Sequence, residues 1–255
     1  MSDFNYNKSF NYSSFSEFCL HKNELPPETR HTVEVLLRIA ATDDFLEAEI
    51  VLLNQTQLEL DDCEIRDLTP LASLKKLTHL WLYNNEISDL TPLQYLTNLT
   101  DLELSINQII DIRPLQTLIN LTELIISDNH ISDMTPLSKL TKLTSLNLEN
   151  NKIIDIKSLS QLVFLKQLNL GGNEISDISS LELLINLQQL SLDNNKIRGA
   201  SRFCKLIKIL VVIVQCVKQS QSLAIAWFHF VPLAMTNNKY FYTFGMLPKL
   251  AISIH

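Results

Sequence analysis

Glycine is scarce in this sequence: only Gly171, Gly172, Gly199 and Gly245 occur among its 255 residues. This scarcity excludes the glycine-rich loops that bind the phosphates of nucleotides and dinucleotides. The six histidines form no HExxH pair, and the GxSxG elbow of a serine hydrolase is absent. We therefore expect a protein that is not an enzyme, with no catalytic residues, no cofactor and no metal.

Cysteine is equally sparse and shows no functional spacing. The four cysteines contain neither a CxxC pair nor a metal-binding pattern; they are Cys19, Cys63, Cys204 and Cys216. The N-terminal segment carries Asp3 and Glu17 and has no uninterrupted apolar core, so it does not resemble a secretory signal peptide. Reduced thiols and a cytoplasmic location are the expectation.

Acidic residues are absent from the last part of the chain. All 28 Asp and Glu residues lie at or before Asp193, so residues 1–193 carry a net charge of −15 and residues 194–255 carry +8. An acidic body repels the phosphate backbone of nucleic acids. We therefore do not expect a nucleic-acid ligand.

The sequence does contain a repeat of 22 residues between Leu77 and Ile197. Its leading leucine returns six times, as Leu77, Leu99, Leu121, Leu143, Leu165 and Leu187. An asparagine follows eight positions later in each copy, as Asn85, Asn107, Asn129, Asn151, Asn173 and Asn195. An aspartate follows four positions after that, as Asp89, Asp111, Asp133, Asp155 and Asp177. A period this strict predicts a solenoid, and a degenerate copy with Cys63 at the asparagine position precedes it.

The pattern LxxLxLxxNxIxDIxPL resembles the 22-residue class of leucine-rich repeat. This class occurs in bacterial internalins and in regulatory subunits of a eukaryotic protein phosphatase. The resemblance covers residues 55–206 and implies an α/β solenoid with a curved parallel sheet on its concave face and short 3-10 or irregular segments on its convex face. The motif is specific for the fold and says little about function, because the fold binds many unrelated partners.

Each conserved position of the repeat has a physical role in this prediction. The LxL pair, such as Leu80 and Leu82, predicts a short strand with both leucines pointing inward. The asparagine and Cys63 positions are expected to form a ladder that satisfies backbone groups at each corner. The aspartate can accept hydrogen bonds from following N–H groups, and proline suits the first turn of a 3-10 segment. Later copies replace this proline by Ser158 and Ser180.

The N-terminal region is expected to close the array. Residues 1–27 show no apolar period and are interpreted as a flexible tail. Residues 28–54 are predicted to form a helical cap, since one apolar stripe falls at helical spacing on Val33, Leu36, Leu37 and Ala40. The segment from Thr42 to Asp44 offers an N-cap for a second helix.

The C-terminal segment is harder to interpret, because the repeat pattern decays after Ile197. We expect about seven coils within residues 55–206, followed by a divergent apolar and basic segment at 207–255. That segment could be an imperfect cap for the last coil, a membrane-associated segment, or sequence that never evolved to cap the array. Its apolar runs are shorter than the ~20 residues that a membrane span needs. The first interpretation is favoured.

The residues that the repeat leaves variable flank the inward leucines and should point to the concave face. In the first four coils, aromatic and apolar side chains lie among carboxylates; the partner-binding candidates are Glu59, His79, Trp81, Tyr83, Asp101, Glu103, Glu123 and Ile125. The last three coils are small and amide-rich at these positions. Aromatic residues inside a charged rim resemble an interface hot spot. A plainer interpretation is that these are ordinary surface residues of a soluble array.

The function hypothesis is a non-catalytic module, monomeric, that binds a protein or peptide with basic and apolar groups on the concave face. A second hypothesis is that the array docks on an enzyme such as a phosphatase and modulates it, as the resemblance implies. A third is membrane-associated display of the array through the C-terminal segment.

Overall fold

Seven three-residue strands form at the LxL pairs. The first leucine of each pair is the middle residue of its strand and is buried, while its two neighbours point to the opposite face of the sheet. The computed structural model describes residue 12, residues 14–197 and two backbone segments near the C-terminus. The seven strands are β1 Gln57–Glu59, β2 His79–Trp81, β3 Asp101–Glu103, β4 Glu123–Ile125, β5 Ser145–Asn147, β6 Gln167–Asn169 and β7 Gln189–Ser191. Each strand begins one coil, numbered as its strand.

The strands pair in parallel and in sequence order, so β1 to β7 form one open sheet. Leu58 faces Leu80 and Leu80 faces Leu102, and the same register continues to Leu190. Partners are always 22 residues apart. The sequence repeat is therefore the step from one strand to the next, as the solenoid prediction requires.

Short 3-10 segments close coils 1 to 6 opposite the sheet. They are Thr69–Leu71, Thr91–Tyr95, Arg113–Thr117, Thr135–Lys139, Lys157–Gln161 and Ser179–Leu183. An aspartate two residues before the first residue of each of these six segments accepts a hydrogen bond from that residue's N–H. For example, Asp89 Oδ1 accepts from the N–H of Thr91 at 2.8 Å. The predicted aspartate role is confirmed. Serine in place of proline leaves the last two segments at five residues, the same length as the three segments before them.

The asparagine ladder joins each coil to its neighbours. Asn107 Oδ1 accepts from the N–H of Ile87 at 2.9 Å, and its Nδ2 donates to the carbonyl oxygens of Leu82 and Leu104 at 3.0 and 3.1 Å. The same contacts recur at Asn85, Asn129, Asn151, Asn173 and Asn195. Cys63 differs, because its thiol donates only within its own coil, to the carbonyl of Asp61 at 3.2 Å. The ladder prediction is confirmed for the asparagines.

Three helices cover the N-terminal end of the array: α1 Phe15–Leu20, α2 Pro27–Ala40 and α3 Phe45–Leu53. The helix α2 buries Val33 and Leu36 and attaches to coil 1 through polar contacts. Thr32 Oγ1 donates to the carbonyl of Asp67 at 2.7 Å, and His31 Nε2 lies 2.7 Å from the carbonyl oxygen of Cys63. These bonds replace the coil that would otherwise precede coil 1.

Of the expectations for the N-terminal region, the cap of α3 is confirmed and the flexible tail is not. Asp44 caps α3 as predicted, since its Oδ1 accepts from the N–H groups of Leu46 and Glu47 at 2.9 and 3.0 Å. The assignment of residues up to 27 to a flexible tail is wrong for α1. This helix buries Phe15 and Phe18 in the common core, so apolar burial holds it in place.

Two short backbone strands extend the sheet beyond β7. The strand β9, Ile252–Ile254, pairs in parallel with β7, and β8, Tyr240–Phe241, pairs antiparallel with β9. The interpretations of residues 207–255, and the end of the array at 206, otherwise fall outside the described residues. Among the residues that are described, no helix is long and apolar enough to cross a membrane.

Candidate functional site

One face of the sheet carries all the predicted partner-binding residues, in rows that run across the strands. The first row contains Gln57, His79, Asp101, Glu123, Ser145, Gln167 and Gln189. The second row contains Glu59, Trp81, Glu103, Ile125, Asn147, Asn169 and Ser191. The third position, two residues after each strand, holds Asp61, Tyr83, Ser105, Ser127, Glu149, Gly171 and Asp193. We call this surface the open face.

The third position is less accessible than the repeat suggests. Ser105 and Ser127, the third-position residues of coils 3 and 4, are only 3% and 8% exposed. Their hydroxyls hydrogen-bond to each other at 2.9 Å, and the N–H of Ser127 also donates to Ser105 Oγ at 3.1 Å. Tyr83 is 40% exposed at the equivalent position of coil 2. A small side chain at this position therefore packs inward, and a large one projects.

Coil 2 contributes the aromatic part of the open face. The rings of His79 and Trp81 lie 5.8 Å apart between centroids, tilted by 41°. His79 Nε2 lies 3.3 Å from Asp101 Oδ2, and the same oxygen accepts from the hydroxyl of Thr100 at 2.6 Å. These contacts fix the His79 ring beside Trp81. The indole is half-buried and can still contact a ligand.

Glu103 occupies the centre of the first four coils and lies between two apolar neighbours. The register places Trp81 on one side and Ile125 on the other. Its Oε1 accepts from the N–H of Ser105 at 2.6 Å. Burial raises the pKa of the Glu103 carboxyl above its ordinary value, although the Ser105 hydrogen bonds act to lower it. The negative charges of Asp61 and Glu123 raise this pKa further.

The open face has no lysine or arginine at any of its 21 strand-row and third-row positions. Seven of these positions are carboxylates, namely Glu59, Asp61, Asp101, Glu103, Glu123, Glu149 and Asp193. The Lys and Arg ion pairs of the described residues lie elsewhere; they join Lys22 to Glu34, Arg66 to Glu86, Arg113 to Asp111, Lys157 to Asp155 and Lys196 to Glu174. The negative potential of the open face is therefore not neutralised by the array.

Coils 4 to 7 form a feature that sequence reasoning missed, a shallow hollow of about 430 Å³ on the open face. Its polar lining consists mainly of amides and hydroxyls, from Ser145, Asn147, Gln167, Asn169, Gln189 and Ser191. Glu123 and Ile125 form its border toward the acidic coils. The run of small and amide residues was visible in the sequence, but its depth depends on how these side chains bend over the sheet.

The amides in the hollow are held by neighbouring groups. Asn147 Oδ1 accepts from the N–H of Glu149, and Asn169 Oδ1 accepts from the N–H of Gly171, both at 3.0 Å. Asn169 Nδ2 donates to Glu149 Oε2 at 2.9 Å. A Cβ on Gly171 would lie 3.0 Å from Asp193 Oδ1, so a larger residue at this position would require the Asp193 side chain to shift.

Ile106 in coil 3 has a backbone conformation that is unusual for an isoleucine. The residue before each ladder asparagine has a positive φ of 50–53° in coils 2 to 5 and in coil 7. Asparagine, aspartate or glycine occupies this corner in the other coils, and these residues tolerate the left-handed region. Ile106 has φ 53° and is β-branched, so its backbone is strained. The strain lies one residue after Ser105, whose N–H donates to the Glu103 carboxylate. The break in the asparagine and aspartate pattern was a sequence signal for it.

The described cysteines and acidic residues do not suggest redox or metal chemistry. Cys19 is buried, and burial raises the pKa of its thiol to about 11. Burial also raises the pKa of the Cys63 thiol. Within residue 12, residues 14–197 and the two C-terminal strands, no group of three His, Cys, Asp or Glu side chains could hold a metal ion.

Comparison with known families agrees with the coil geometry. The family model for leucine-rich repeats, in two copies, matches residues 56–95, 97–139 and 119–162. These ranges contain β1 to β5 together with the turns that follow them. The chain contains leucine-rich repeats. The comparison with curated proteins found no match.

Solved leucine-rich repeat structures resemble this one. An internalin (inlF) from Listeria monocytogenes is 30% identical with a TM-score of 0.65, over 72% of this chain and 55% of the internalin. Internalin C2 of the same bacterium is 29% identical with a TM-score of 0.52, over 68% of this chain and 87% of the internalin. The chain thus spans about half the length of the first of these internalins.

A plant leucine-rich repeat is also similar. It is the ectodomain of the membrane receptor kinase GASSHO1/SCHENGEN3 from Arabidopsis thaliana, solved in complex with CASPARIAN STRIP INTEGRITY FACTOR 2. The identity is 25% and the TM-score 0.53, over 60% of this chain and 20% of the plant ectodomain. Leucine-rich repeats are generally modules for interaction with proteins or peptides, and these repeats have the same architecture.

Proposed function

We propose that this protein is a non-catalytic interaction module that binds a protein or peptide on the open face of its leucine-rich repeats. The observation that carries the proposal is the composition of that face: Trp81, Tyr83 and Ile125 lie among unneutralised carboxylates, with no lysine or arginine. Aromatic anchors surrounded by charge are typical of interfaces in which few residues supply most of the binding energy.

The chemistry of the open face defines the partner. Carboxylates without cationic neighbours attract a basic segment and accelerate its encounter with the sheet. Trp81 and Ile125 supply apolar contact area, so the partner carries apolar residues next to its basic ones. The similar plant ectodomain, which was solved with a bound factor, supports a role in recognition.

The strained backbone at Ile106 also supports a site in coil 3. Sparsely populated backbone conformations cost about 1–3 kcal/mol and cluster at functional sites. Ile106 lies next to Ser105, which hydrogen-bonds the central carboxylate Glu103. A residue that costs stability at this position is consistent with selection for binding.

A displayed library of random peptides, selected against the full chain, tests this proposal. Peptides that bind through the open face should lose affinity in Trp81→Ala and keep it in Ile154→Ala, which removes an exposed apolar residue outside the face. Failure to enrich any peptide, or equal loss in both variants, would contradict the proposal.

A further inference from the structure

We propose that Glu103 receives a single arginine or lysine side chain of the partner, whose aliphatic stem lies between Trp81 and Ile125. The inference rests on the proposed function and names the chemistry of its central contact. The partner is a polypeptide segment with one basic residue between apolar residues.

The sheet register creates the two walls of this subsite. Trp81 pairs with Glu103, and Glu103 pairs with Ile125, on successive parallel strands. Adjacent strands lie about 4.8 Å apart, so the two apolar side chains start about 10 Å apart with the carboxylate between them. The Glu103 side chain bends along its own strand toward Ser105, so a partner's side chain can lie over it between the two apolar walls. All three residues are half-buried rather than fully exposed, so an incoming group loses water when it enters.

Hydrogen bonds position the Glu103 carboxylate before a partner arrives. Its Oε1 accepts from the N–H of Ser105, and Ser105 is itself held by the buried bond to Ser127. A carboxylate has about four lone-pair positions, so these bonds leave acceptor capacity for a partner's N–H groups. A preorganised acceptor needs little reordering on binding, which favours affinity.

The other carboxylates of the first coils are less suited to this role. Asp101 already contacts His79 and accepts from Thr100, and Asp61 lies in coil 1, which has a neighbouring coil on one side only. Glu103 is the acidic residue that has an apolar neighbour on both flanking strands. Asp61, Asp101 and Glu123 instead surround it and add negative potential.

The apolar walls formed by Trp81 and Ile125 favour an organic cation over an inorganic one. Lysine and arginine bury their apolar stems while keeping the charged head near a carboxylate, and a guanidinium also stacks on an indole face. An inorganic cation such as Ca²⁺ requires six to eight oxygen ligands. No metal-holding group of acidic side chains occurs among the described residues, which agrees with a side-chain cation.

The experiment uses two peptides with the full chain. One is acetyl-Ala-Leu-Arg-Leu-Ala-amide, and the other has citrulline in place of arginine, which keeps the shape and removes the charge. Nitrogen-15 NMR titration follows the Trp81 indole and the amides of Ser105 and Ile125. We expect these signals to shift with the arginine peptide, and we expect the citrulline peptide to bind about tenfold more weakly, because hydrogen bonds between charged groups are stronger than those between neutral groups.

Two variants decide whether Glu103 is responsible. Glu103→Gln should abolish the difference between the peptides, since the neutral amide can still accept from Ser105 but no longer pairs with a cation. Glu149→Gln makes the same charge change on the same face, in coil 5, and should preserve the difference. Equal binding of the two peptides to the unmodified chain, or an equal loss in both variants, would overturn the inference.

The outcome is separable from that of the proposed function. If the library yields peptides that depend on Trp81 but contain no required basic residue, the open face binds partners and the Glu103 subsite is refuted. If no peptide depends on Trp81, the proposed function itself fails.

Discussion

Coils 1 to 4 and coils 5 to 7 have the same interior and different open faces. Asn107 in the first group and Asn151 in the second make the same ladder contacts, at 2.9–3.2 Å and 3.0–3.2 Å. On the open face, an aromatic and acidic surface in the first group gives way to an amide-lined hollow in the second. Positions that complete a neighbouring coil are fixed by packing, whereas positions that face solvent vary independently.

The largest expected effect tests whether the interiors are equivalent. Asn107→Ala and Asn151→Ala should each destabilise the array by about 3 kcal/mol or more, because each leaves several buried backbone groups without a partner, at about 1–3 kcal/mol per group. Urea unfolding followed by circular dichroism measures the losses. Asn98→Ala is the control: this exposed asparagine makes a single side-chain hydrogen bond, to the Lys75 carbonyl at 2.8 Å, so its loss should cost only about 0.5–1.5 kcal/mol. Unequal losses in the two ladder variants would show that the interiors differ.

The next largest effect concerns binding on the two surfaces. Trp81→Ala should weaken a library-selected peptide by about tenfold or more, since interface tryptophans commonly contribute about 2 kcal/mol. Asn147→Ala, the second-row residue of coil 5, should weaken it by less than about threefold. Fluorescence polarisation measures both affinities, and thermal unfolding confirms that both variants fold. A larger loss from Asn147→Ala would move the site into the hollow.

Replacement of Ile106 tests the strain in coil 3. Ile106→Asn should stabilise the array by about 1 kcal/mol, because asparagine tolerates a positive φ better than a β-branched residue does. Ile154→Asn is matched in chemistry at another exposed isoleucine, one without a positive φ, and should give no gain. Thermal unfolding of both variants provides the measurement, and equal shifts would refute the strain argument.

A smaller effect is expected on the outer turns. Ser158→Pro should stabilise coil 5 by about 0.4–1 kcal/mol, because proline reduces the entropy of the unfolded chain where its backbone is tolerated. Equivalent turns accept proline at this position, as Pro92 and Pro136 show. The reverse change, Pro136→Ser, should lower stability by at least as much. A loss of stability in Ser158→Pro would mean that the later turns differ in backbone from the earlier ones.

The smallest effect concerns the charge of Glu103 in the absence of a partner. The folded protein raises the pKa of this carboxyl, so protonated Glu103 contributes stability below its unfolded pKa, and that contribution is lost as the pH rises through the folded pKa. Glu103→Gln should therefore raise Tm by about 1 °C at pH 7 and by less at pH 4. Scanning calorimetry at both pH values measures this, and a lower Tm at pH 7 would contradict it.

The repeating parts of the fold were predictable because every copy has the same kinds of residue at the same positions. Leu80, Asn85 and Asp89 recur at one period, so one interpretation fixed the strand, the corner and the turn of each coil. The placement of Trp81 and Glu103 on one face followed from strand alternation alone. The register then showed that Glu103 lies between Trp81 and Ile125.

The parts that escaped prediction are those that occur once. The helix α1 has a capping box, in which Ser14 Oγ accepts from the N–H of Glu17 and Glu17 Oε2 accepts from the N–H of Ser14. This Ser-x-x-Glu signal is short, and the burial of Phe15 and Phe18 depends on tertiary contacts. The hollow of coils 4 to 7 likewise depends on how side chains such as Asn147 and Asn169 bend onto backbone N–H groups.

The ladder also determines how such an array can change in length. Asn107 accepts from Ile87, and Asn129 accepts from Ile109, so every junction between coils has the same donors and acceptors 20 residues apart. Removal or duplication of a whole 22-residue unit in the interior joins matching ends and leaves each remaining bond intact. Each duplicated unit adds two strand-row positions and one third-row position that can mutate at little cost to folding. Recombination between units can therefore lengthen or shorten the open face to match a longer or shorter ligand, without changes in the rest of the protein.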